Sequence, residues 1–341
     1  MKSKIEPAIW FPTVRTGTGT DIFTERLVEG LVVRGIRAEI TWLPLRAEYL
    51  PWTVTIPHPP NWATIVHVNT WLHSRFLPKN LPVVATLHHS IHDPNLRQYK
   101  GWLRAMYHQY WIAPNERRVM QHAHQVTAVS QFVADMAKQT LCDVPIQVIY
   151  NGIDTDLFCP GNRVRQKNEP FRLLYVGSWI VRKGVDLLAP IMNELGEDYV
   201  LYYTGGATVS NQVNTPSNMI DVGRLNQERI IHYMQTVDAL IFPTRSEGFG
   251  LVVTEAMACG LPVISSESSS IPEIISNEMT GFLCETNNVQ SFVNAIRKLK
   301  ESNELQTVMS TTARHQVEQK FDISLMIQQY IETYEALDIR R

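Results

Sequence analysis

Short apolar runs recur along the 341-residue chain, and longer stretches with helical spacing separate them. PAIWFP at 7–12 reads as a first strand. The loop RTGTGT follows, then a helix near 21–34 that Gly35 ends as a C′ residue. Further strands are expected at 38–43 (AEITWL), 63–68 (ATIVHV), 82–87 (PVVATL), 125–130 (QVTAVS) and 145–149 (PIQVI). Runs that are apolar on both faces suit a parallel sheet covered by helices.

The pattern restarts after the polar stretch CPGNRVRQKNEP at 159–170. FRLLYVG is a strand ending in glycine, and more strands are expected at 199–204, 218–222, 238–242 and 262–265. Helices are expected between them, including 227–236 and 251–259. Two βαβ series predict an α/β protein of two Rossmann-like domains, 1–162 and 163–322. In open α/β sheets ligands sit beyond the carboxyl ends of the strands, so the expected active site is the cleft between the domains. The segment 304–338 reads as helix, interrupted at Phe321 and Asp322, and periodicity leaves open which domain its end packs on.

Composition narrows the function. Hydrophobic residues make up 44% and charged residues 19%, enough apolar surface for sizeable cores. A net charge of −2 argues against a dedicated nucleic-acid binder. Residues 1–150 hold 15 Lys and Arg against 10 Asp and Glu, and nine of the eleven histidines, so this half is the better candidate to face an anion. The four cysteines show no CxxC or zinc spacing, which fits a reduced cytoplasmic chain. MKSKIEPAIWFP does not read as a signal peptide, and no apolar run approaches a membrane span.

Several stretches carry candidate chemistry. In RSEGFGLVVTEAMACG, Glu247 and Glu255 lie on either side of a helix start, and Gly248 and Gly250 permit close backbone approach. Free N–H groups near Gly250–Val252, with the helix dipole, make an anion site, and carboxylates accept hydrogen bonds from sugar or ribose hydroxyls. The alternative is two solvated acids offsetting the dipole. YVGSWIVRKG ends a strand at Gly177 and places Arg182 and Lys183 before a helix, where cations are disfavoured unless an anion binds. TGTGTD has GxG at Gly17 and Gly19 but Ile22 at the third glycine position, which weakens a dinucleotide reading. His88 and His89 end the strand PVVATL, with His92 and Asp93 close behind, as ligand groups or exposed loop histidines. Ser270, Pro272 and Glu273 read as a helix start, with Glu273 a capping residue. LRQYKGWLRAMYHQYW at 96–111 reads as an amphipathic helix, basic on one side. Its simplest placement packs the aromatic side on the domain; the alternative is membrane-surface contact.

Together these pieces resemble glycosyltransferase family 4, the retaining GT-B enzymes, over nearly the whole chain. SEGFGLVVTEAMACGLPVISS is similar to the family's E-x7-E signature, and YVGSWIVRKG to its donor-phosphate loop. VIYNGIDTDLFCP, TGTDIFTERLVEGLVVRG, VVATLHH and VTAVSQF also match family segments. The resemblance implies a nucleotide-sugar donor held mainly by the C-terminal domain and a glycan or lipid-linked acceptor held by the N-terminal one. It makes Lys183 a diphosphate ligand, Glu255 a ribose ligand and Glu247 a ligand of the transferred sugar. Gly19, Gly177, Arg182, Gly248, Phe249, Gly250 and Leu251 join the donor site, and His88 contacts the reacting centre. It further implies no cofactor, no metal and a final helix, 323–341, returning to the N-terminal domain. Retaining transfer of a hexose in glycan or surface polysaccharide assembly is the expected activity, with cytoplasmic location and peripheral membrane contact through the N-terminal domain. Two positions depart from the family: Ser178 replaces an arginine, and Thr18-Gly19 replaces Gly-Gly. Rival readings are a nucleotide-sugar epimerase or phosphorylase on the same fold, and a non-catalytic sugar-binding subunit.

Overall fold

The computed structural model describes residues 6–161, 169–206 and 215–337. They divide into two compact units, one of residues up to Gly152 together with Ile323 onward, the other Ile153–Asp322. The division falls before the 162/163 boundary expected from the polar stretch, part of which lies outside the described residues. The reason is local. Ile153 donates its N–H to the Phe321 carbonyl at 2.8 Å, and Thr155 donates to Asp322 at 2.5 Å. The Arg314 guanidinium donates to the carbonyls of Thr155, Phe158 and Ala258. Buried Ile153 and Phe158 thus belong to the second core.

The first unit holds six parallel strands: β1 (Ile9–Val14), β2 (Ala38–Leu43), β3 (Ile65–Asn69), β4 (Val83–Leu87), β5 (Gln125–Ala128) and β6 (Ile146–Val148), in the order β2-β1-β3-β4-β5-β6. Alternation along β1 sends Trp10 to one core and Ile9 and Phe11 to the other. Helix Ile323–Glu335 closes the second of these cores with Met326, Ile327, Tyr330 and Tyr334. It approaches helix Gly19–Val33 so closely that a Cβ on Gly30 would lie 2.0 Å from Ile327 Cδ1.

The second unit holds β7 (Phe171–Tyr175), β8 (Tyr199–Tyr203), β9 (Met219–Asp221), β10 (Ala239–Phe242), β11 (Val263–Ser266) and β12 (Gly281–Cys284), all parallel, in the order β12-β11-β10-β7-β8-β9. Strand β12 was not expected from the pattern. Its run is short and opens on a glycine that reads as a turn; a Cβ on Gly281 would lie 2.5 Å from the Val263 carbonyl of β11. Strand order reverses between β1 and β3 in the first unit and between β7 and β10 in the second, the places where open sheets bind ligands.

The stretch 96–111 is not one helix. A 3-10 segment, Pro94–Tyr99, ends before Gly101; helix Trp102–Tyr107 then passes through a π-turn, His108–Ile112, into helix Ala113–His122. Pro114 has no N–H to give the i−4 carbonyl, and the wider turn removes that conflict. Nor does the aromatic side pack wholly inward: Trp102 and Tyr110 are 70% and 68% exposed.

Candidate functional site

Polar side chains in the second unit gather where β7 and β10 end. After β7 the chain makes a 3-10 turn, Val181–Lys183, and enters helix Val185–Leu195 through Gly184 at φ 72°. A Cβ there would lie 1.8 Å from the Pro243 carbonyl, so only glycine lets this loop cross the end of β10. The crossing brings Lys183 Nζ to 2.5 Å from Glu247 Oε1. Both side chains are largely buried, at 16% and 10% exposure. Burial pushes the Glu247 carboxyl up. The charges of Lys183 and Arg182, with hydrogen bonds from Lys183 and Thr244, outweigh it and hold the group below the usual carboxylate range.

Glu247 is fixed from several directions. Thr244 Oγ1 donates to its Oε1 at 2.8 Å, and its own N–H donates to Ser269 Oγ at 2.8 Å. Arg182 donates to the Ser246 carbonyl at 2.6 Å, which commits this guanidinium at least partly to the loop backbone. Arg245 forks onto Asp186 at 2.6 and 2.8 Å and donates to Asn287, tying helix Val185–Leu195 to the same loop. Ser270 does not cap the helix Ile271–Ile274 that it precedes. Its hydroxyl donates to the carbonyls of Glu247 and Phe249 instead, a role its helix-start spacing concealed.

Gly250, at φ 101°, turns the loop into helix Leu251–Ala258, which has no side-chain cap. The Val253 N–H is bonded to the Gly250 carbonyl at 3.0 Å, which leaves the N–H groups of Leu251 and Val252 as the ones a helix start offers to an anion. Glu255 stands half-buried on the second turn. Phe249, expected among the donor contacts, packs its ring against Phe321, with centroids 5.6 Å apart. Gly177 donates its N–H to Thr204 Oγ1 at 3.0 Å, and the Ser178 carbonyl accepts from the Tyr175 hydroxyl at 3.1 Å. The Ser178 side chain is exposed.

In the first unit the corresponding strand ends carry a neutral chain of hydrogen bonds. His88 Nε2 lies 2.7 Å from Asn69 Oδ1, and Asn69 Nδ2 donates to Thr13 Oγ1 at 2.9 Å. With the Asn69 oxygen as acceptor, His88 carries its proton on Nε2 and leaves Nδ1 as an acceptor. Burial pushes the His88 imidazole down to about 3, so it is uncharged at neutral pH. A neutral imidazole of this tautomer suits a hydroxyl donor better than a phosphate. His92 does not join it: its Nε2 lies 2.8 Å from buried Glu116, and Asp93 caps the following turn through Asn95 N–H.

The loop before helix Gly19–Val33 is organised by Asp21, which sequence reasoning passed over. Its carboxylate accepts the N–H of Thr16 at 2.9 Å, that of Gly17 at 2.6 Å and the Thr16 hydroxyl at 2.9 Å. Asp21 therefore takes two of the amides that a glycine-rich loop offers to a phosphate. Gly19 itself is the first residue of the helix.

Two Rossmann-like units of this kind, with polar groups collected at the strand-order reversals, are the GT-B architecture. Residues 24–157 match the family model "Glycosyltransferase Family 4", and residues 162–316 match "Glycosyl transferases group 1". The two halves of the chain thus match two glycosyltransferase family models, and its fold is GT-B. It is 27% identical over 220 residues to an uncharacterized glycosyltransferase of Methanocaldococcus jannaschii, covering 63% of this chain and 60% of that protein. It is 25% identical over 335 residues to a D-inositol 3-phosphate glycosyltransferase of Mycobacteroides abscessus, covering 84% and 73%. The chain thus spans less than two thirds of the first relative and somewhat more of the second. Among solved structures, the sucrose-phosphate synthase of Thermosynechococcus elongatus superposes with a TM-score of 0.81 at 19% identity, covering 95% and 98% of the two chains. Anabaena HepE, solved with UDP and glucose, gives 0.76 at 17%, covering 97% and 100%.

Proposed function

We propose that this protein transfers a hexose from a nucleotide sugar to an acceptor hydroxyl with retention of anomeric configuration, in the assembly of a glycan or surface polysaccharide. The buried Lys183–Glu247 pair beside the uncapped helix Leu251–Ala258 carries the reading. A cation and free amide N–H groups at one strand end suit a diphosphate, while a fixed, ionised carboxylate suits sugar hydroxyls.

In this reading Lys183 and the helix N-terminus stabilise charge growing on the departing diphosphate. The bond from the anomeric carbon to the phosphate oxygen breaks, and a bond to the acceptor oxygen forms on the same face. The acceptor proton passes to the leaving phosphate oxygen. Glu247 orients the sugar and is not the nucleophile; its depressed pKa and bonds to Lys183 and Thr244 support that division. Glu255 takes the ribose hydroxyls, and His88 Nδ1 accepts from a substrate hydroxyl. No metal takes part.

The test is a screen of UDP-, GDP- and ADP-hexoses by thermal shift, followed by product analysis with and without acceptor hydroxyls. A ligand at 100 times its Kd adds about 2.7 kcal/mol of stability. One donor should stabilise the protein and yield the retained glycoside in EDTA. An epimer formed without acceptor would point to an epimerase, and binding without any turnover to a non-catalytic subunit.

A further inference from the structure

The exposed side of residues 102–110 continues a wider apolar surface. Trp102, Leu103, Met106 and Tyr110 fall within an arc of about 100° on the helix, and Trp102, Leu103 and Tyr110 are each about two-thirds or more exposed. On one flank, Tyr107 and Trp111 meet Tyr49 and Trp52 with ring centroids 5.6 and 5.7 Å apart. Trp111 Nε1 donates to the Glu48 carbonyl at 3.0 Å, fixing that flank. Leu45, Leu50 and Trp52 on the same flank are also exposed. A contiguous patch of this kind marks an interaction site rather than scattered surface residues.

On the other flank lies a cavity of about 460 Å³, lined among others by Arg97, Lys100, His108, Tyr110, Arg117 and Asp93. Three permanent cations face one carboxylate, and an Asp93 oxygen is bonded to Asn95 N–H. Lys100 donates to the Ile91 carbonyl and Arg117 to the Leu141 carbonyl, contacts that hold both side chains at the cavity. His92 also lines the cavity but is paired with Glu116. His108 Nδ1 is buried with no hydrogen-bond partner among the described residues. Burial, with Lys100, Arg104 and His92 nearby, pushes its imidazole down to about 4, so it meets a ligand uncharged. The cavity sits against the π-turn, an irregularity common at functional sites.

We propose that this cavity binds the phosphate of an anionic lipid while Trp102, Leu103, Met106, Tyr110 and Trp52 enter the bilayer interface beside it. Cations and interfacial aromatics side by side fit a headgroup above an acyl region, and a free phosphate would leave the apolar platform unused. The inference stands independently of the transfer reaction, because it concerns binding to a surface.

Vesicle co-sedimentation decides it. The protein should pellet with phosphatidylcholine vesicles containing phosphatidylglycerol, at least tenfold more than with phosphatidylcholine alone, and less at high salt. Arg97→Gln with Lys100→Gln should lower binding to the anionic vesicles at least tenfold, at unchanged Tm. Trp102→Ser with Leu103→Ser should lower it similarly; if that variant loses its thermal transition, the charge variant decides alone. Equal binding to both vesicles, binding to neither, or undiminished binding of the charge variant would overturn the proposal. So would full competition by millimolar glycerol 3-phosphate, which marks a soluble phosphate site. Self-association of the protein lost in the Ser variant, without vesicle binding, would make the patch a protein interface and overturn it equally.

Discussion

At the strand-order reversal of the second unit, Lys183 and Glu247 face each other at 2.5 Å as a buried ion pair. At that of the first unit, Thr13 on β1 and Asn69 on β3 hold His88 in a neutral hydrogen-bonded chain. The two sheets share parallel strands and a reversal of order, yet a buried ion pair stands at one reversal and a neutral hydrogen-bonded chain at the other. The difference is chemical: a fixed ion pair can exchange partners with a charged ligand, whereas a neutral imidazole with a free acceptor nitrogen is matched to a hydroxyl. It also gives the two units different responses to substitution and to acid.

The largest effect should come from breaking the charged end. Glu247→Ala leaves Lys183 buried without its partner, and removing one member of a buried pair costs about 3–5 kcal/mol. Lys183→Ala strands Glu247 in the same way. Sugar transfer should fall by about a hundredfold or more in each, the scale expected when a preorganised group at a developing charge is lost. Lys183→Met with Glu247→Gln separates the two effects. Thermal unfolding of the double variant should return toward wild type, because the stranded charge is gone, while transfer stays lost. Recovery of transfer together with stability would reduce the pair to a structural role.

Acid should divide the units by a smaller margin. Burial pushes His67 and His88 down to about 3 from an ordinary 6.5. His67 is bonded to Tyr334 at 2.7 Å and to Thr86 at 2.6 Å. Below pH 6.5 the unfolded chain takes up protons that the folded unit refuses, so stability falls as pH falls. One unit below 6.5 costs about 1.4 kcal/mol for each histidine kept neutral. Glu247 has the opposite profile: its folded pKa lies below 4.5, so its contribution is complete above 4.5 and is lost as pH falls through the folded value. Between pH 6.5 and 4.5 these groups weaken only the first unit. Hydrogen exchange at pH 7.0 and 5.5, corrected for intrinsic rates, should show protection in β1 and β4 falling by somewhat under a hundredfold relative to β7 and β10, about tenfold for each histidine. Equal changes in both units would mean that the buried histidines take up protons without cost.

These contrasts explain what could be read from the chain. The strand at 238–242 was legible because burial on both faces leaves a continuous apolar run, and helix 227–236 because its apolar positions recur at helical spacing. Lys183 and Glu247 stood out because charges flanking a strand and glycines need a reason. Their support did not stand out. Thr244, Ser269 and Ser270 are small polar residues in a polar run, and only the fold brings them to Glu247. Asp21 and Asn69 hid for the same reason, since each acts on neighbours defined by loop shape or by strand pairing. The domain boundary was misplaced because Pro and Gly mark a flexible-looking stretch, while Ile153 and Phe158 decide the packing. The exposed Trp102 side was misplaced because a stripe of aromatics looks alike whether a core or a surface ligand covers it.

The smallest expected effect would sharpen the comparison by adding charge to the end that is already charged. Ser178 stands where the family resemblance implies an arginine, its side chain is exposed, and its carbonyl accepts from the Tyr175 hydroxyl and the Ile180 N–H. Ser178→Arg therefore requires no repacking of the loop. Arg182 cannot fully replace such a cation while its guanidinium holds the Ser246 carbonyl. One added, largely solvated charge contributes about 1 kcal/mol or less, so calorimetry should show nucleoside diphosphate binding up to about fivefold tighter, with the gain shrinking as salt rises. Unchanged affinity at low salt would mean that the diphosphate does not lie near Gly177 and Ser178, and that the anion is held by the helix Leu251–Ala258 and Lys183 alone.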